Sequence, residues 1–248
     1  MSLNKIIKTG LGVTVSALLL ASCTKDNSNS SRADEIRDFG NMARVQIYNA
    51  ALGTQRTFAY ADAERLNGAA FIYSNTAHSG SGLTHALPAG LHAMVVRDTL
   101  GSSVQPQISF AQDFQANTQY TIFLYDTMNA IKQKTFAANI VRPTDGQARV
   151  RFANFAFLKG ATPPNVDVFS KNLNGNLVSD VPYSELSGFM TVVPDVTDSL
   201  YVREAGTTTN LVGGAFTFRP NEHYTVVFRG RYAPGTTFVR TLASFINN

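Results

Sequence analysis

Ala148-Arg149-Val150-Arg151-Phe152-Ala153-Asn154 has a counterpart earlier in the same chain, Ala43-Arg44-Val45-Gln46-Ile47-Tyr48-Asn49, 105 residues upstream. Outward from this pair, Phe114-Gln115-Ala116-Asn117-Thr118-Gln119-Tyr120-Thr121 returns as Phe218-Arg219-Pro220-Asn221-Glu222-His223-Tyr224-Thr225 at an offset of 104. Val96-Arg97-Asp98 answers Val202-Arg203-Glu204 at 106, and Leu66-Asn67-Gly68 answers Leu173-Asn174-Gly175 at 107. Four matches in one order and at nearly constant spacing identify a tandem duplication of a unit of about one hundred residues, a common domain size.

Each unit reads as β. Arg44 to Tyr48 alternates polar and apolar residues, and so do Thr118 to Tyr125 and Tyr224 to Phe228, with β-branched and aromatic enrichment. Turn residues interrupt at short intervals, as in Asn67-Gly68, Pro88-Ala89-Gly90, Asn174-Gly175, Pro194-Asp195 and Ala233-Pro234-Gly235. About seven short strands per hundred residues predicts an antiparallel β-sandwich, twice over, at residues 43–140 and 146–248. Asn139 to Gln147, with its Arg142-Pro143-Thr144-Asp145-Gly146 core, is the natural boundary. Helical periodicity is confined to a short polar lead-in, Ser31 to Met42.

The N-terminus carries an address. Lys5 and Lys8 precede an apolar run from Leu11 to Leu20, too short for a stable membrane span, so residues 1–22 read as a secretory signal. The run ends in Leu20-Ala21-Ser22-Cys23, which resembles the lipobox of bacterial lipoproteins. The resemblance implies cleavage between Ser22 and Cys23 and lipidation of the Cys23 thiol, with palmitate-type acyl chains as the membrane anchor. Cys23 is the only cysteine, which removes a disulfide framework and a cysteine-based zinc site from consideration. Thr24 stands where inner-membrane lipoproteins usually have Asp, which implies an outer-membrane address with surface exposure as the further expectation. Lys25-Asp26-Asn27-Ser28-Asn29-Ser30-Ser31 then reads as a flexible tether within residues 23–42.

The second unit resembles the Ig-like bacterial lipoproteins known as domain of unknown function 4397. The carriers are Ala148-Arg149-Val150-Arg151, then Pro163-Pro164-Asn165-Val166-Asp167-Val168, Pro182-Tyr183 and Val192-Val193-Pro194. In the first unit Leu87-Pro88-Ala89-Gly90 keeps the pattern, whereas Thr57-Phe58-Ala59-Tyr60 replaces the Asp-Val strand. The resemblance implies an all-β fold of two tandem Ig-like sandwiches. If Asp167 orders a loop, the first unit must do so by other means.

Charged residues are 15% of the 248, below the ~25% of ordinary globular proteins, while hydrophobic residues reach 44%. That excludes a charged disordered chain. The net charge of +4 is scattered, so no nucleic-acid-binding surface is indicated. His78, His85 and His92 are spaced by seven, but turn residues break any helix between them, so surface or loop positions are expected rather than a metal set. Asp62/Glu64 and Asp195/Asp198 resemble acid pairs of glycosidases only in composition, and are read as turn residues. Gly80-Ser81-Gly82 is too short for a nucleophile elbow. With 17 Phe, 9 Tyr and no Trp, aromatic stacking would fall to residues such as Tyr48, Tyr60, Tyr73, Tyr183 and Tyr232, all near strand ends. The expectation is a lipid-anchored, non-catalytic cell-envelope protein without cofactor or metal, whose repeats present a surface to a protein or glycan. The alternatives are an accessory subunit of a nutrient-uptake or adhesin assembly and, behind it, a β-sandwich hydrolase.

Overall fold

Val45, Ile47, Val150 and Phe152 alternate along the two repeated stretches, and each is 2% exposed or less. Each therefore lies inward on a strand, as the period-2 pattern requires. The computed structural model describes residues 39–76, 84–99 and 105–247. The expected signal peptide, Cys23 and nearly all of the tether lie outside those residues, as do His78 and the Gly80-Ser81-Gly82 tip. Of the anticipated helical lead-in, only its last four residues fall within them, as a 3-10 turn at Phe39–Asn41 and the strand residue Met42.

The first unit contributes β1 (Met42–Asn49), β2 (Thr57–Ala61), β3 (Glu64–Arg65), β4 (His85–Pro88), β5 (Gly90–Asp98), β6 (Ile108–Phe114), β7 (Gln119–Tyr125) and β8 (Lys132–Ala138). The second contributes β9 (Ala148–Asn154), β10 (Val166–Ser170), β11 (Gly175–Val181), β12 (Glu185–Leu186), β13 (Met190–Val192), β14 (Thr197–Glu204), β15 (Asn210–Thr217), β16 (His223–Arg229) and β17 (Thr241–Asn247). Each unit is a two-sheet sandwich. The first pairs β4-β1-β7-β8 against β3-β2-β5-β6, and the second pairs β12-β9-β16-β17, with β13 also on β9, against β11-β10-β14-β15. Pairing is antiparallel except at one place per unit, where β1 runs parallel to β7 and β9 parallel to β16. The duplication is preserved there residue by residue, with Arg44 beside Gln119 and Arg149 beside His223.

The matching Phe-x-x-Asn-x-x-Tyr-Thr segments form the corners leading into β7 and β16. Asn117 and Asn221 adopt φ values of 58° and 60°, which Asn tolerates better than most residues. The Tyr120 hydroxyl accepts the Gln115 N–H at 2.8 Å, and that of Tyr224 accepts the Arg219 N–H at 3.0 Å. By contrast, the match of Leu66-Asn67-Gly68 with Leu173-Asn174-Gly175 is not structural. Asn174 turns β10 into β11, whereas the equivalent turn of the first unit is Asp62-Ala63, with φ of 49° and 70°.

The strands β7 and β16 are buried along both faces through six consecutive residues. One face of each closes its own sandwich, through Ile122 and Leu124 or Val226 and Phe228. The other face meets the neighbouring unit, where Tyr48, Phe123, Ala153, Phe155, Val227 and Phe245 form a third core. Phe123 and Phe155 stack at 4.4 Å, and Tyr48 stacks on Phe245 at 5.1 Å. The two sandwiches therefore join through their inner sheets into four layers, within one compact unit from Gly40 to Asn248. Tyr48, expected near the surface, is 2% exposed, and this burial pushes its phenol up to about 12.

A polar strip continues the interface beyond this core. Arg151 donates to Thr225 Oγ1 at 2.8 Å and Thr121 Oγ1 at 3.0 Å, while Thr225 donates to Asn247 Oδ1 at 2.5 Å. Asn247 Nδ2 donates to Gln46 Oε1 at 2.9 Å, and Gln46 Nε2 donates to the Ile246 carbonyl at 2.9 Å. Arg151 is 4% exposed, and burial pushes its guanidinium down to about 10.

Phe123→Ala should lower stability by about 3–5 kcal/mol, and both units should still unfold in one transition. Urea titrations followed by circular dichroism and tyrosine fluorescence check this, and two resolved transitions would contradict a shared core. Arg151→Met should leave stability unchanged or raise it by up to about 2 kcal/mol, because a cation without a carboxylate partner leaves the interior. A lower urea midpoint would contradict that.

Candidate functional site

The expected surface positions for His85 and His92 are overturned: both lie on strands, 9% and 8% exposed. His92 Nδ1 is 2.6 Å from Asp62 Oδ2, and its Nε2 is 2.8 Å from the Pro88 carbonyl. Asp62 also accepts the Ala93 N–H at 2.9 Å, and that bond, followed by His92, holds its carboxyl below the usual carboxylate range. The pair ties the β2–β3 turn to β5.

In the second unit the same task is done with the carboxylate on the other side. Asp198, which occupies the position of His92, accepts Ser170 Oγ at 2.5 Å and the Asn172 N–H at 3.0 Å. Glu64 is exposed, and Asp195 sits in a turn with φ of 56°. Among the described residues no group of three His, Cys, Asp or Glu side chains is placed to hold a metal ion.

Asp167 is 6% exposed and orders its surroundings by accepting from the Asp180 N–H at 2.8 Å, and from Asn176 Nδ2 and the Gly206 N–H, each at 3.1 Å. Phe58 takes its place in the first unit, and Asn67 takes over the ordering. Asn67 Oδ1 accepts the Ala59 N–H at 2.8 Å while Nδ2 donates to the Ala69 carbonyl at 2.7 Å.

Replacing Asp167 by Phe58 bears on the outer sheets, which face away from the shared interface. On β10 the inward residues are Val166 and Val168, so Phe169 points outward; on β14 Leu200 and Val202 point in, so Tyr201 and Arg203 point out. Phe169 and Tyr201 are direct cross-strand partners. Gly213 is the partner of Tyr201 on its other side, and a Cβ there would come within 2.7 Å of the Tyr201 ring. The absence of a side chain on Gly213 thus lets the ring lie down over the sheet. Arg203 stacks on the diagonal neighbour Phe169 with its guanidinium carbon 3.8 Å from the ring centroid, and Asn210 Oδ1 accepts its Nε–H at 2.8 Å.

The first unit repeats the arginine stack but not the tyrosine over glycine, because Val95 and Ser109 hold the places of Tyr201 and Gly213. Tyr60 occupies the place of Phe169 and Arg97 that of Arg203, with 4.8 Å between the Arg97 guanidinium and the Tyr60 ring. Arg65 adds a second stack over Phe58 at 5.5 Å. Of the tyrosines expected at strand ends, only Tyr60 joins such a platform. Tyr48 and Tyr232 are buried, Tyr183 contacts Tyr125 across a 5.9 Å centroid distance, and Tyr73 stacks under Arg229 at 5.0 Å. Phe169, Tyr201, Arg97 and Arg203 were missed. The signal was present in the paired Val96-Arg97-Asp98 and Val202-Arg203-Glu204, which mark equivalent strand positions.

No protein-family model matches the chain, and no curated protein matches it in sequence. Similar solved structures include a family 41 carbohydrate-binding module from streptococcal virulence factors, described for alpha-glucan recognition. It is 10% identical over 75% of this chain and 93% of that one, with a TM-score of 0.24. A family CBM26 module from Eubacterium rectale Amy13K, in complex with maltoheptaose, is 10% identical over 82% and 96%, with a TM-score of 0.25. Scores this low leave the ligand to be argued from this chain's own residues.

Proposed function

We propose that the chain is a lipid-anchored, non-catalytic module of the cell envelope that binds glycan on the outer faces of its two sandwiches. The observation that carries this reading is the Tyr201 ring lying over Gly213 beside Phe169 and the stacked Arg203. A flat aromatic surface accepts the C–H face of a sugar ring, and a guanidinium fixed by Asn210 offers donors to hydroxyls at its edge. The recurrence of the stack as Arg97 on Tyr60 supports a selected surface in both units.

The platforms lie on opposite outer sheets of the four layers. With packed sheets ~10 Å apart, about 30 Å separates them. That spacing and the intervening cores let one module engage two glycan strands and crosslink a polymer. The anchor is the Cys23 lipid at the end of Leu20-Ala21-Ser22-Cys23, where each buried methylene contributes ~0.8 kcal/mol to membrane retention.

Isothermal titration with maltohexaose, cellohexaose and chitohexaose tests the ligand class. Saturable binding to at least one is expected, and Tyr201→Ala should weaken it by roughly tenfold at the second unit while leaving the urea midpoint near wild type. Clouding of the matching polymer should be lost with either Tyr60→Ala or Tyr201→Ala. Failure of all three oligosaccharides to bind would defeat the glycan reading. Separately, Cys23→Ser should abolish incorporation of an alkyne-palmitate label and release the protein from the membrane fraction, and protease shaving of intact cells reports which side of the outer membrane it occupies.

A further inference from the structure

At the polar end of the interface between the units lies a cavity of about 230 Å³ lined by Arg44, Ile140, Arg142, Glu222, His223 and Asn247. Its charges do not balance. Arg142 donates to the Asn221 carbonyl at 3.2 Å and pairs with Glu222 at 3.0 Å, and Arg149 pairs with Asp145 at 2.5 Å. Arg44 makes a single long bond, 3.3 Å, to the Ile140 carbonyl, and Arg151, two residues along β9 from Arg149, has only hydroxyl acceptors. Within the lining, two guanidinium groups, Arg44 and Arg142, thus face one carboxylate, Glu222, which Arg142 already engages.

A second observation points to the same end of the interface. Gln119, paired with Arg44 in the β1–β7 register, is 1% exposed, and neither its amide oxygen nor its amide nitrogen has a hydrogen-bond partner. A buried primary amide without partners costs ~1–3 kcal/mol, so the end of the interface is incomplete as a purely structural device.

We propose that this cavity binds an oxyanion, of carboxylate or phosphate chemistry, held by the forked guanidinium groups of Arg44 and Arg142 with the His223 imidazole as a third donor. The site joins the two units, since Arg44 comes from the first and His223 from the second, and it is separate from the outer aromatic platforms. His223 couples occupancy to pH. It faces Arg149 and Arg151 from β9, Asn247 from β17, Phe189 from the segment before β13, Arg44 from β1, and Arg142 and Glu222 at the cavity wall, with Asp145 held on Arg149. Burial, then Arg149 and Arg151, hold its imidazolium below the usual histidine range. The folded state therefore binds fewer protons than the unfolded chain, and stability falls as pH drops below ~6.5. An anion between the arginines reverses that bias, and by reciprocity acidification tightens the anion.

The test uses the detergent-solubilised mature protein with inorganic phosphate, D-glucuronate and, as the neutral control, D-glucose. Glucuronate keeps its charge between pH 7.5 and 5.5, so the pH arm is read with it. Calorimetry should give saturable binding of glucuronate or phosphate but not of glucose, and the preferred anion identifies the source chemistry. Glucuronate affinity should rise about tenfold from pH 7.5 to pH 5.5, and the His223 ring resonances, assigned with His223→Gln, should titrate at higher pH when the preferred anion is present. Arg44→Gln and Arg142→Gln should each weaken binding about tenfold. Arg142 lies on the exposed linker, so that variant keeps the test open if Arg44→Gln fails to fold. The proposal is overturned if neither anion binds more tightly than about 10 mM, or if His223 titrates identically with and without anion.

Discussion

The structure depends on two inner sheets that are buried on both faces. A strand at the surface of a sandwich needs one apolar face, whereas β7 and β16 bury six consecutive residues each. Their outer faces carry Phe123 and Val227, which separate sandwiches would leave in water. At ~25 cal/mol per Å² of apolar surface removed from water, pairing those faces is the favourable arrangement. It also accounts for the composition: with two sheets interior on both sides, much of the surface that would carry charge is gone, and 15% charged residues suffices.

Duplication then left each half free to change wherever the task, rather than the residue, had to be kept. The turn after β2 and the turn after β10 must each be tied to the strand beside them. One half uses a turn carboxylate held by a strand histidine, Asp62 and His92; the other uses a strand carboxylate, Asp198, held by turn donors. Loop ordering passed likewise from Asp167 to Asn67. What stayed the same in both residue type and geometry includes the asparagine and tyrosine at each corner and the arginine stacked on each outer sheet. The corner serves the fold. The stacked arginine faces solvent and contributes at most about 1 kcal/mol to an exposed contact, so its retention calls for a functional explanation.

The fold was legible because strand periodicity and repeat spacing are local properties, and Arg44-Val45-Gln46-Ile47-Tyr48 carries both. The limits of that reading have equally physical causes. Alternation at Thr121 and Thr225 places polar side chains on the face opposite the core, but it does not tell water from a second protein surface. Tyr48 therefore reads as a strand-end residue until Phe245, almost two hundred positions away, is seen stacked on it. Asn67-Gly68 and Asn174-Gly175 look alike because both favour turns, yet only the second turns a hairpin. Tyr201 depends on Gly213, a residue whose contribution is the space it leaves, and absence of a side chain has no periodicity to read.

The interface also has a direction. Its apolar end holds Phe123 on Phe155; the strip through Gln46, Thr121, Arg151 and Thr225 is wholly hydrogen-bonded; and its far end opens into the cavity beside Arg44 and His223. Packing of rings tolerates small shifts, whereas the bonds joining Arg151 to Thr121 and Asn247 to Gln46 link residues from different units at fixed separations. The apolar end supplies the driving force for stacking, and the polar strip selects one register for it. Long charged side chains at the far end cannot close to the density of a hydrophobic core without matched partners. The cavity is thus a consequence of the same gradient, and it is positive because Arg44 and Arg142 line it while Glu222, held by Arg142, is the one carboxylate in its wall.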